Sequence, residues 1–387
     1  MKKRPRVSGW EWAPQADEWA RVEHGRAPDR DPRAMHPRAP RESPSAAASF
    51  TRALTWIVGI PCVLVLLGKA AIEFSPWPQA LLIRWSFDSE TKKMSDALAK
   101  HVPAGISEQL NEHYDPADPD AFLDVYFPSE VGGSERVLPA VVWVHGGAWV
   151  SGNKSDIANY TRIVASKGFA VACVNYSIAP EATYPRPVKQ VVAALAYLNG
   201  NADRLHMDQS KIFLAGDSAG SQIAAQVANI ISSPAYATTM GMAAPLDRSQ
   251  LAGVVLYCGP YDVSRLKFKS RWGPFPKALL WSYVGKKDFL KDPAIAAMSV
   301  AHHVTADFPP TFISVGNDDG LTPQSRAFAE TLAGLGVEVD SLFFEENHTP
   351  RLGHEYQFIL DVEEGRLALE RSVAFLRKRV EARSRDG

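Results

Sequence analysis

This chain of 387 residues has few cysteines, almost no net charge and no cysteine or histidine pattern with the spacing of metal ligands. It has 3 cysteines, too few for a disulfide framework, and they form no CxxC pair and no metal-spaced cluster with histidine. Because 42 Lys and Arg residues nearly balance 43 Asp and Glu residues, the formal net charge is -1, and nothing favours a nucleic-acid partner. We therefore expect neither a metal site nor nucleic-acid binding.

One long uncharged run occupies residues 53–68, and after Lys69 the apolar composition continues to Ile72. A membrane-spanning helix needs about 20 apolar residues, with about 17 as the lower limit, and Pro61 lies in the middle of this run. The excess of arginine before the run favours an N-terminus in the cytoplasm and a remainder across the membrane. We predict that residues 53–72 form a transmembrane signal anchor. The alternatives are a cleaved signal peptide and a buried or interfacial helix of a cytoplasmic protein.

The remainder of the chain divides by composition. Residues 1–52 are rich in Pro, Arg and Ala and lack an apolar period, which predicts a disordered tail. Residues 73–118 mix helical patches with proline and charge, and we interpret them as a cap or packing segment. Residues 119–387 alternate strands with helices, which predicts an α/β domain with a mostly parallel sheet and helices on both faces. At about 263–303 an aromatic-rich insertion predicts either a lid over the substrate pocket or ordinary packing on the sheet.

Apolar runs and helical periodicity within that domain predict its individual elements. Strands are expected at residues 122–127, 138–144, 169–174, 211–215, 251–258, 311–315 and 337–344. Helices are expected at residues 159–167, 187–198, 221–230, 324–335 and 355–380.

Residues 216–220, with the sequence GDSAG, lie between a predicted strand and a predicted helix. A strand, a G-x-S-x-G turn and a helix form the setting of a nucleophile elbow. Gly216 and Gly220 allow the two backbones to approach closely around Ser218. The turn therefore predicts that Ser218 is a nucleophile, held at the end of the sheet beside a helix N-terminus that favours negative charge.

A second glycine-containing turn follows the strand at residues 138–144. Its sequence, HGGAW at residues 145–149, is typical of the loop that completes an oxyanion hole. We expect the oxyanion donors to be the backbone N–H groups of Gly146, Gly147 and Ala219. When a G-x-S-x-G turn supplies the nucleophile, the order along the chain is serine, acid and then histidine base. His145 precedes Ser218, so we expect it to fix the loop by hydrogen bonding and not to act as the base.

The acid and the base should follow later strands. Asp318 and Asp319 come after the strand at 311–315, and we favour Asp319 as the acid because Asp318 could cap the next helix. His348 and His354 follow the last predicted strand, and we favour His354, beside Gly353, as the base. Both alternatives remain open at this point.

These residues predict a covalent mechanism. His354 would take the Ser218 proton as the serine oxygen attacks an ester carbonyl, Asp319 would hold the imidazole tautomer, and the loop donors would bind the oxyanion. Water would then hydrolyse the acyl-enzyme. None of these steps requires a cofactor, so none is expected.

Three segments together resemble the α/β-hydrolase superfamily, and most closely its hormone-sensitive-lipase-like and carbohydrate-esterase-like carboxylesterases. They are HGGAW at 145–149, NYSIAPEATYPRPV at 175–188 and GDSAG at 216–220, and the resemblance covers roughly residues 120–380. It implies an α/β-hydrolase fold with helical cap elements and a carboxylic ester hydrolase. Our leading hypothesis is a serine esterase of short or medium acyl esters, whose partner is a small ester. The same triad could serve an amidase or peptidase. A non-catalytic binding protein on this fold is the remaining alternative.

Overall fold

The computed structural model describes residues 50–51, 55–266 and 275–386, and within them eight strands form one sheet. Their spatial order is β1-β2-β4-β3-β5-β6-β7-β8. The β1–β2 and β2–β4 pairs are antiparallel, and the other neighbours are parallel, which confirms the predicted fold class. The strands are β1 (Ile106–His113), β2 (Phe122–Pro128), β3 (Leu138–Val144), β4 (Ala170–Val174), β5 (Met207–Asp217), β6 (Leu251–Tyr257), β7 (Thr311–Val315) and β8 (Val339–Phe343).

Helices cover both faces of this sheet. Alternate side chains of the central strand β3 point to opposite sides: Val142 and Val144 enter one apolar core, whereas Val141 and Trp143 enter another. Helices α4, α5 and α9 complete the first core, and α3 and α10 complete the second. The described α-helices are α1 (Ile60–Phe74), α2 (Trp77–Leu98), α3 (Ala158–Ala165), α4 (Arg186–Gly200), α5 (Ser218–Ser232), α6 (Pro234–Met240), α7 (Phe275–Val284), α8 (Pro293–Met298), α9 (Thr322–Gly334) and α10 (Glu363–Asp386).

The segment at 73–118 does more than pack on the domain. It contains the 22-residue helix α2, and it supplies β1, an edge strand that the sequence analysis did not predict. The β1 sequence ISEQLNEH carries two aliphatic residues, Ile106 and Leu110, and it pairs with one neighbour only. Edge strands are often polar because charged side chains discourage pairing with other molecules, and such a strand lacks an apolar signature.

The predicted start of the last helix, at residue 355, was wrong by eight residues. Glu355 has a left-handed backbone with φ 60°, Tyr356–Phe358 form a 3-10 turn, and α10 begins only at Glu363. Acidic side chains at Glu363 and Glu364 suit the positive end of a helix dipole. The intervening residues form a separate loop, and His354 stands where that loop begins.

The described part of the insertion at 263–303 belongs to the packed core. Leu280 and Tyr283 of α7 are fully buried, as is Met298 of α8, so these helices are fixed elements of the domain. Phe268 and Trp272, two aromatic residues of this insertion, lie outside the described residues.

Residues Thr55–Phe74 form an apolar helical stretch of 20 residues, long enough to cross a membrane. It starts with a π-helical turn at Thr55–Gly59 and continues as α1, and none of it is buried. The first two residues of the predicted span at 53–72 lie outside the described part of the chain, and the described stretch continues to Phe74.

Candidate active site

The turn between β5 and α5 carries Ser218. The strand ends at Asp217 and the helix begins at Ser218, whose φ of 50° is in the left-handed region. A Cβ atom on Gly220 would collide with the carbonyl oxygens of Val144 and His145, and one on Gly216 would stand 2.6 Å from the carbonyl oxygen of Gly220. Only glycine fits both positions, and this close approach sets the position of the serine hydroxyl.

Ser218, His354 and Asp319 form a continuous chain of hydrogen bonds. Ser218 Oγ lies 2.9 Å from His354 Nε2, and His354 Nδ1 lies 2.7 Å from Asp319 Oδ2. The other Asp319 oxygen accepts the N–H of Leu321 at 2.8 Å, which fixes the carboxylate. A proton on Nδ1 that is donated to Asp319 leaves Nε2 free to accept the serine proton, as a general base must.

The two alternative residues have partners elsewhere. His348 Nε2 lies 2.9 Å from Glu364 Oε1 at the start of α10. Asp318 accepts a hydrogen bond from Arg351 Nη2 at 2.9 Å on the surface. The structure thus brings Asp319 and His354 to Ser218, and it places Asp318 and His348 in separate contacts, with Arg351 and Glu364 respectively.

The surroundings of His354 favour its protonated form. Although 42% of the His354 side chain is exposed, partial loss of solvent around the ring lowers its pKa. The Cys258 side chain and the Asp319 carboxylate raise the pKa by more, and the net direction is upward. Burial also raises the pKa of the Cys258 thiol to about 11, so this thiol is protonated at neutral pH.

Cys258, Asp319 and His354 together offer three ligand atoms within 4.8 Å of one another. A metal ion would require a thiolate, and the raised pKa of Cys258 opposes that state. It would also compete with the hydrogen bond between His354 and Asp319. The donor set therefore fits a proton-transfer chain better than a metal site.

The loop after β3 lies against this chain. Gly147 has φ 103°, and Ala148 and Trp149 have φ 53° and 62°. The N–H of Gly146 donates to the Asp217 carboxyl, whereas no hydrogen bond among the described groups uses the N–H of Gly147 or Ala219. Of the three predicted oxyanion donors, two are thus available and Gly146 is engaged.

His145 holds the backbone of that loop. Its Nδ1 lies 2.8 Å from the carbonyl oxygen of Gly146, and its ring stacks on Tyr176 with centroids 4.2 Å apart. Tyr176 also donates its hydroxyl to the carbonyl oxygen of His145 at 2.9 Å. Because burial lowers the pKa of His145 to about 4, the ring is neutral at physiological pH.

Two contacts near Ser218 were not found from the sequence. Trp143 Nε1 donates to Asp217 at 2.7 Å, and the Asp217 carboxyl is hydrogen-bonded to the Glu355 carboxyl. Asp217 directly precedes Ser218 and Glu355 directly follows His354. This adjacency to the predicted nucleophile and base was the only feature of the sequence that could have indicated them. Their pairing depends on the fold, which brings residues 138 positions apart into contact.

Comparison with known proteins places the chain in a family. The family model BD-FAE matches residues 123–332, which is more than half of the chain. Carboxylesterase NlhH of Mycobacterium tuberculosis is 30% identical over 279 residues, 68% of this chain and 80% of that protein. The chain belongs to the α/β-hydrolase esterases, in the family BD-FAE.

Other curated relatives match a shorter part. An esterase of Gibberella moniliformis is 30% identical over 218 residues, and an alpha/beta hydrolase of Acanthamoeba polyphaga mimivirus is 29% identical over 217 residues. The matches span 64% and 60% of these two proteins and 53% and 54% of this chain.

Solved structures support the same fold for this BD-FAE member. Esterase B from Lactobacillus rhamnosis has a TM-score of 0.68 at 22% identity, over 81% of this chain and 99% of that chain. An esterase from Pyrobaculum calidifontis has a TM-score of 0.63 at 22% identity, over 80% and 95% of the two chains.

Proposed function

We propose that this protein is a serine carboxylesterase that cleaves short or medium acyl esters through an acyl-enzyme. The observation that carries the proposal is the chain of hydrogen bonds from Ser218 through His354 to Asp319, with distances of 2.9 Å and 2.7 Å. Membership of the α/β-hydrolase esterases supports the same reaction.

The proposed mechanism starts from neutral His354. Its Nε2 removes the Ser218 proton while the serine oxygen attacks the ester carbonyl carbon, and Asp319 stabilises the imidazolium that forms. The protonated His354 then gives the proton to the departing alcohol, which leaves Ser218 acylated. A water molecule, deprotonated by His354, releases the carboxylic acid and restores the serine.

The negative charge on the tetrahedral oxygen needs donors that are already in place. We assign this role to the N–H groups of Gly147 and Ala219, the two predicted donors without another hydrogen bond among the described groups. Gly146 contributes by holding the loop, since its N–H donates to the Asp217 carboxyl.

The experiment is a panel of p-nitrophenyl esters from acetyl to palmitoyl, assayed with the full chain and with single variants. Ser218→Ala and His354→Ala should each lower kcat by a factor on the order of 10⁴ or more. His348→Ala is the matched control, because His348 pairs with Glu364, and its kcat should stay within about twofold of wild type.

The outcomes separate the candidate functions. Ester hydrolysis that both triad variants abolish supports the proposal, and the chain-length profile then defines the acyl pocket. Activity that survives in His354→Ala would refute the assignment of the base. Cleavage of anilides in preference to esters would favour an amidase, and no cleavage of either would overturn the enzymatic proposal.

We also propose that Thr55–Phe74 anchors the enzyme in a membrane with its catalytic domain outside the cytoplasm. The stretch is apolar in composition, and none of it is buried. Large apolar side chains are also exposed on the first turns of α2, where tryptophans suit a membrane interface: Trp77, Leu81, Leu82 and Trp85.

Cell fractionation tests this attachment. The full chain should stay in the membrane pellet after carbonate extraction, and protease added to intact spheroplasts should digest it. Release by carbonate would contradict a spanning helix, and resistance to protease in intact cells with loss after lysis would place the domain in the cytoplasm.

A further inference from the structure

A pair of carboxyl groups lies beside the proposed triad and has no part in the proton transfers described above. Asp217 is 4% exposed, and three groups bind its carboxyl: the indole N–H of Trp143 at 2.7 Å, the backbone N–H of Gly146, and the carboxyl of Glu355. It is the last residue of β5 and directly precedes Ser218.

Glu355 reaches this pair from the loop that carries His354. Its φ of 60° is in the left-handed backbone region, which residues other than glycine, asparagine and aspartate seldom adopt. Glu355 Oε1 lies 3.7 Å from His354 Nε2 and 2.9 Å from the point where a Cβ atom on Gly146 would stand. This uncommon backbone directs a carboxyl group toward both the base and the oxyanion loop.

Two carboxyl groups in hydrogen-bond contact need a proton between them, because two carboxylates would repel and neither could donate. Burial and the neighbouring Glu355 carboxyl raise the pKa of Asp217 well above its usual range, against the opposing effect of the Trp143 and Gly146 donors. Asp217 therefore holds a proton more tightly than an ordinary aspartate does, and it can donate that proton in its hydrogen bond with Glu355.

We infer that Asp217 and Glu355 share this proton, and that their hydrogen bond is a positioning contact between the loops of the nucleophile, the oxyanion hole and the base. Asp217 belongs to the nucleophile turn, its carboxyl accepts from Gly146 of the oxyanion loop, and Glu355 belongs to the loop of His354. Removal of one proton weakens the link among all three segments. Glu355 and Asp217 act through these neighbours and are positioning residues.

The inference predicts a loss of activity at alkaline pH. Once the shared proton leaves, two like charges face each other in a buried site, and the loops that carry them are pushed apart. The second charge also lies near the proposed oxyanion donors, where it opposes the negative charge of the tetrahedral intermediate.

Other titratable groups near the pair do not account for such a loss. Burial holds His145 neutral, and it raises the pKa of the Cys258 thiol to about 11 and that of the Tyr257 phenol to about 12, so both stay protonated below that range. Burial raises the pKa values of Cys173 and Tyr176 as well, and the proposed base His354 governs the acid side. The groups that face the pair from the surrounding elements are Cys173, Tyr176, Tyr257, Cys258 and His354, with Asp319 behind His354.

Glu355→Gln and Glu355→Ala, made in the full chain, distinguish the shared proton from mere packing. A glutamine amide donates to ionised Asp217 without a shared proton, whereas alanine leaves the link broken. We expect kcat/KM of Glu355→Ala to fall by about tenfold at neutral pH, mainly through kcat, and Glu355→Gln to recover much of it. In Glu355→Gln the alkaline decline should shift upward or vanish. Glu346→Gln, at an exposed site on the same loop, is the matched control and should keep the wild-type profile.

Thermal unfolding gives a readout that does not need an ester substrate. A raised pKa in the folded state means that the pair stabilises the fold at lower pH, and that this stability is lost as pH rises through the folded-state pKa. The wild-type Tm should therefore fall more steeply with alkaline pH than the Tm of Glu355→Gln. The inference is overturned if Glu355→Gln keeps both the wild-type alkaline decline and the wild-type Tm profile.

The kinetic part of this inference rests on the proposed esterase function, but the two can fail separately. If the wild type is inactive but the expected Tm difference is observed, the proposed function is refuted and the shared proton is supported. An active wild type whose Glu355→Ala variant matches it in kcat/KM would keep the function and refute the positioning role.

Discussion

Trp149 stacks on Tyr283, with ring centroids 5.0 Å apart and planes within 11° of parallel. Trp149 belongs to the loop after β3, and Tyr283 belongs to α7 in the insertion. Trp149 Nε1 also donates to Gln222 Oε1 of α5 at 3.2 Å. The loop after β3, which we propose forms the oxyanion hole, is thus held between the insertion and the helix that begins at Ser218.

That stack predicts how the insertion affects catalysis. Tyr283→Ala should destabilise the protein by about 3–5 kcal/mol and lower kcat, because the cavity leaves Trp149 without its packing partner. Tyr283→Phe keeps the ring and should stay within about twofold of the wild-type kcat/KM. Urea denaturation and ester kinetics on the two variants measure this. Equal activity in Tyr283→Ala and wild type would show that the stack does not support the loop.

The acid side of the pH profile should report His354. Its pKa is raised above the ordinary 6.5, and the base works only when neutral, so kcat/KM should fall as pH drops through a midpoint above 6.5. Asp319→Asn removes a charge that raises this pKa, and should move the midpoint to lower pH in addition to lowering kcat.

Asp318→Asn is the neighbouring control for that profile, because Asp318 pairs with Arg351 on the surface. It should reproduce the wild-type midpoint. A midpoint that Asp319→Asn leaves in place would mean that another group controls the acid side.

Arg84 of α2 should stabilise the fold mainly through its hydrogen bonds to backbone carbonyl groups, and less through its ion pair with Glu181. Its Nε donates to the carbonyl oxygen of Val150 at 2.7 Å, one Nη donates to that of Ala179 at 2.9 Å, and Glu181 accepts from the guanidinium at 2.6 Å. Arg84→Ala leaves two carbonyl groups without these donors and should cost about 2–3 kcal/mol in the free energy of unfolding.

Glu181→Gln removes only the ion pair with Arg84, and the Glu181 side chain is 45% exposed. The free energy of unfolding should therefore fall by about 0–1 kcal/mol. Urea titration of both variants gives the comparison. If the two losses are equal, the ion pair rather than the carbonyl contacts provides the stability.

Gly220 should tolerate no side chain. A Cβ atom there would overlap the carbonyl oxygens of Val144 and His145, so Gly220→Ala must displace β3 or the nucleophile turn. We expect loss of soluble protein or a destabilisation above about 3 kcal/mol. Gly334→Ala is the control, since nothing lies within 4 Å of its Cβ position at the end of α9, and it should leave the Tm unchanged or slightly raised.

Local patterns in the sequence were enough to predict the parallel part of the sheet and the residues that meet at Ser218. Buried parallel strands are continuous apolar runs, and the order of serine, acid and base follows the order of the strands that present them. The strand β1 was missed because a polar edge strand resembles a surface loop. The Asp217–Glu355 contact was missed because it joins two loops that are distant in the sequence, and neither carboxyl group indicates its partner.

Every residue of α5, from Ser218 to Ser232, is buried. A library that seeks new substrate preferences should therefore leave this helix unchanged, since each substitution there would be judged first by folding and only then by selectivity. Diversity is better placed on the loop that follows α7, whose exposed positions 285–288 can vary while the serine keeps its place.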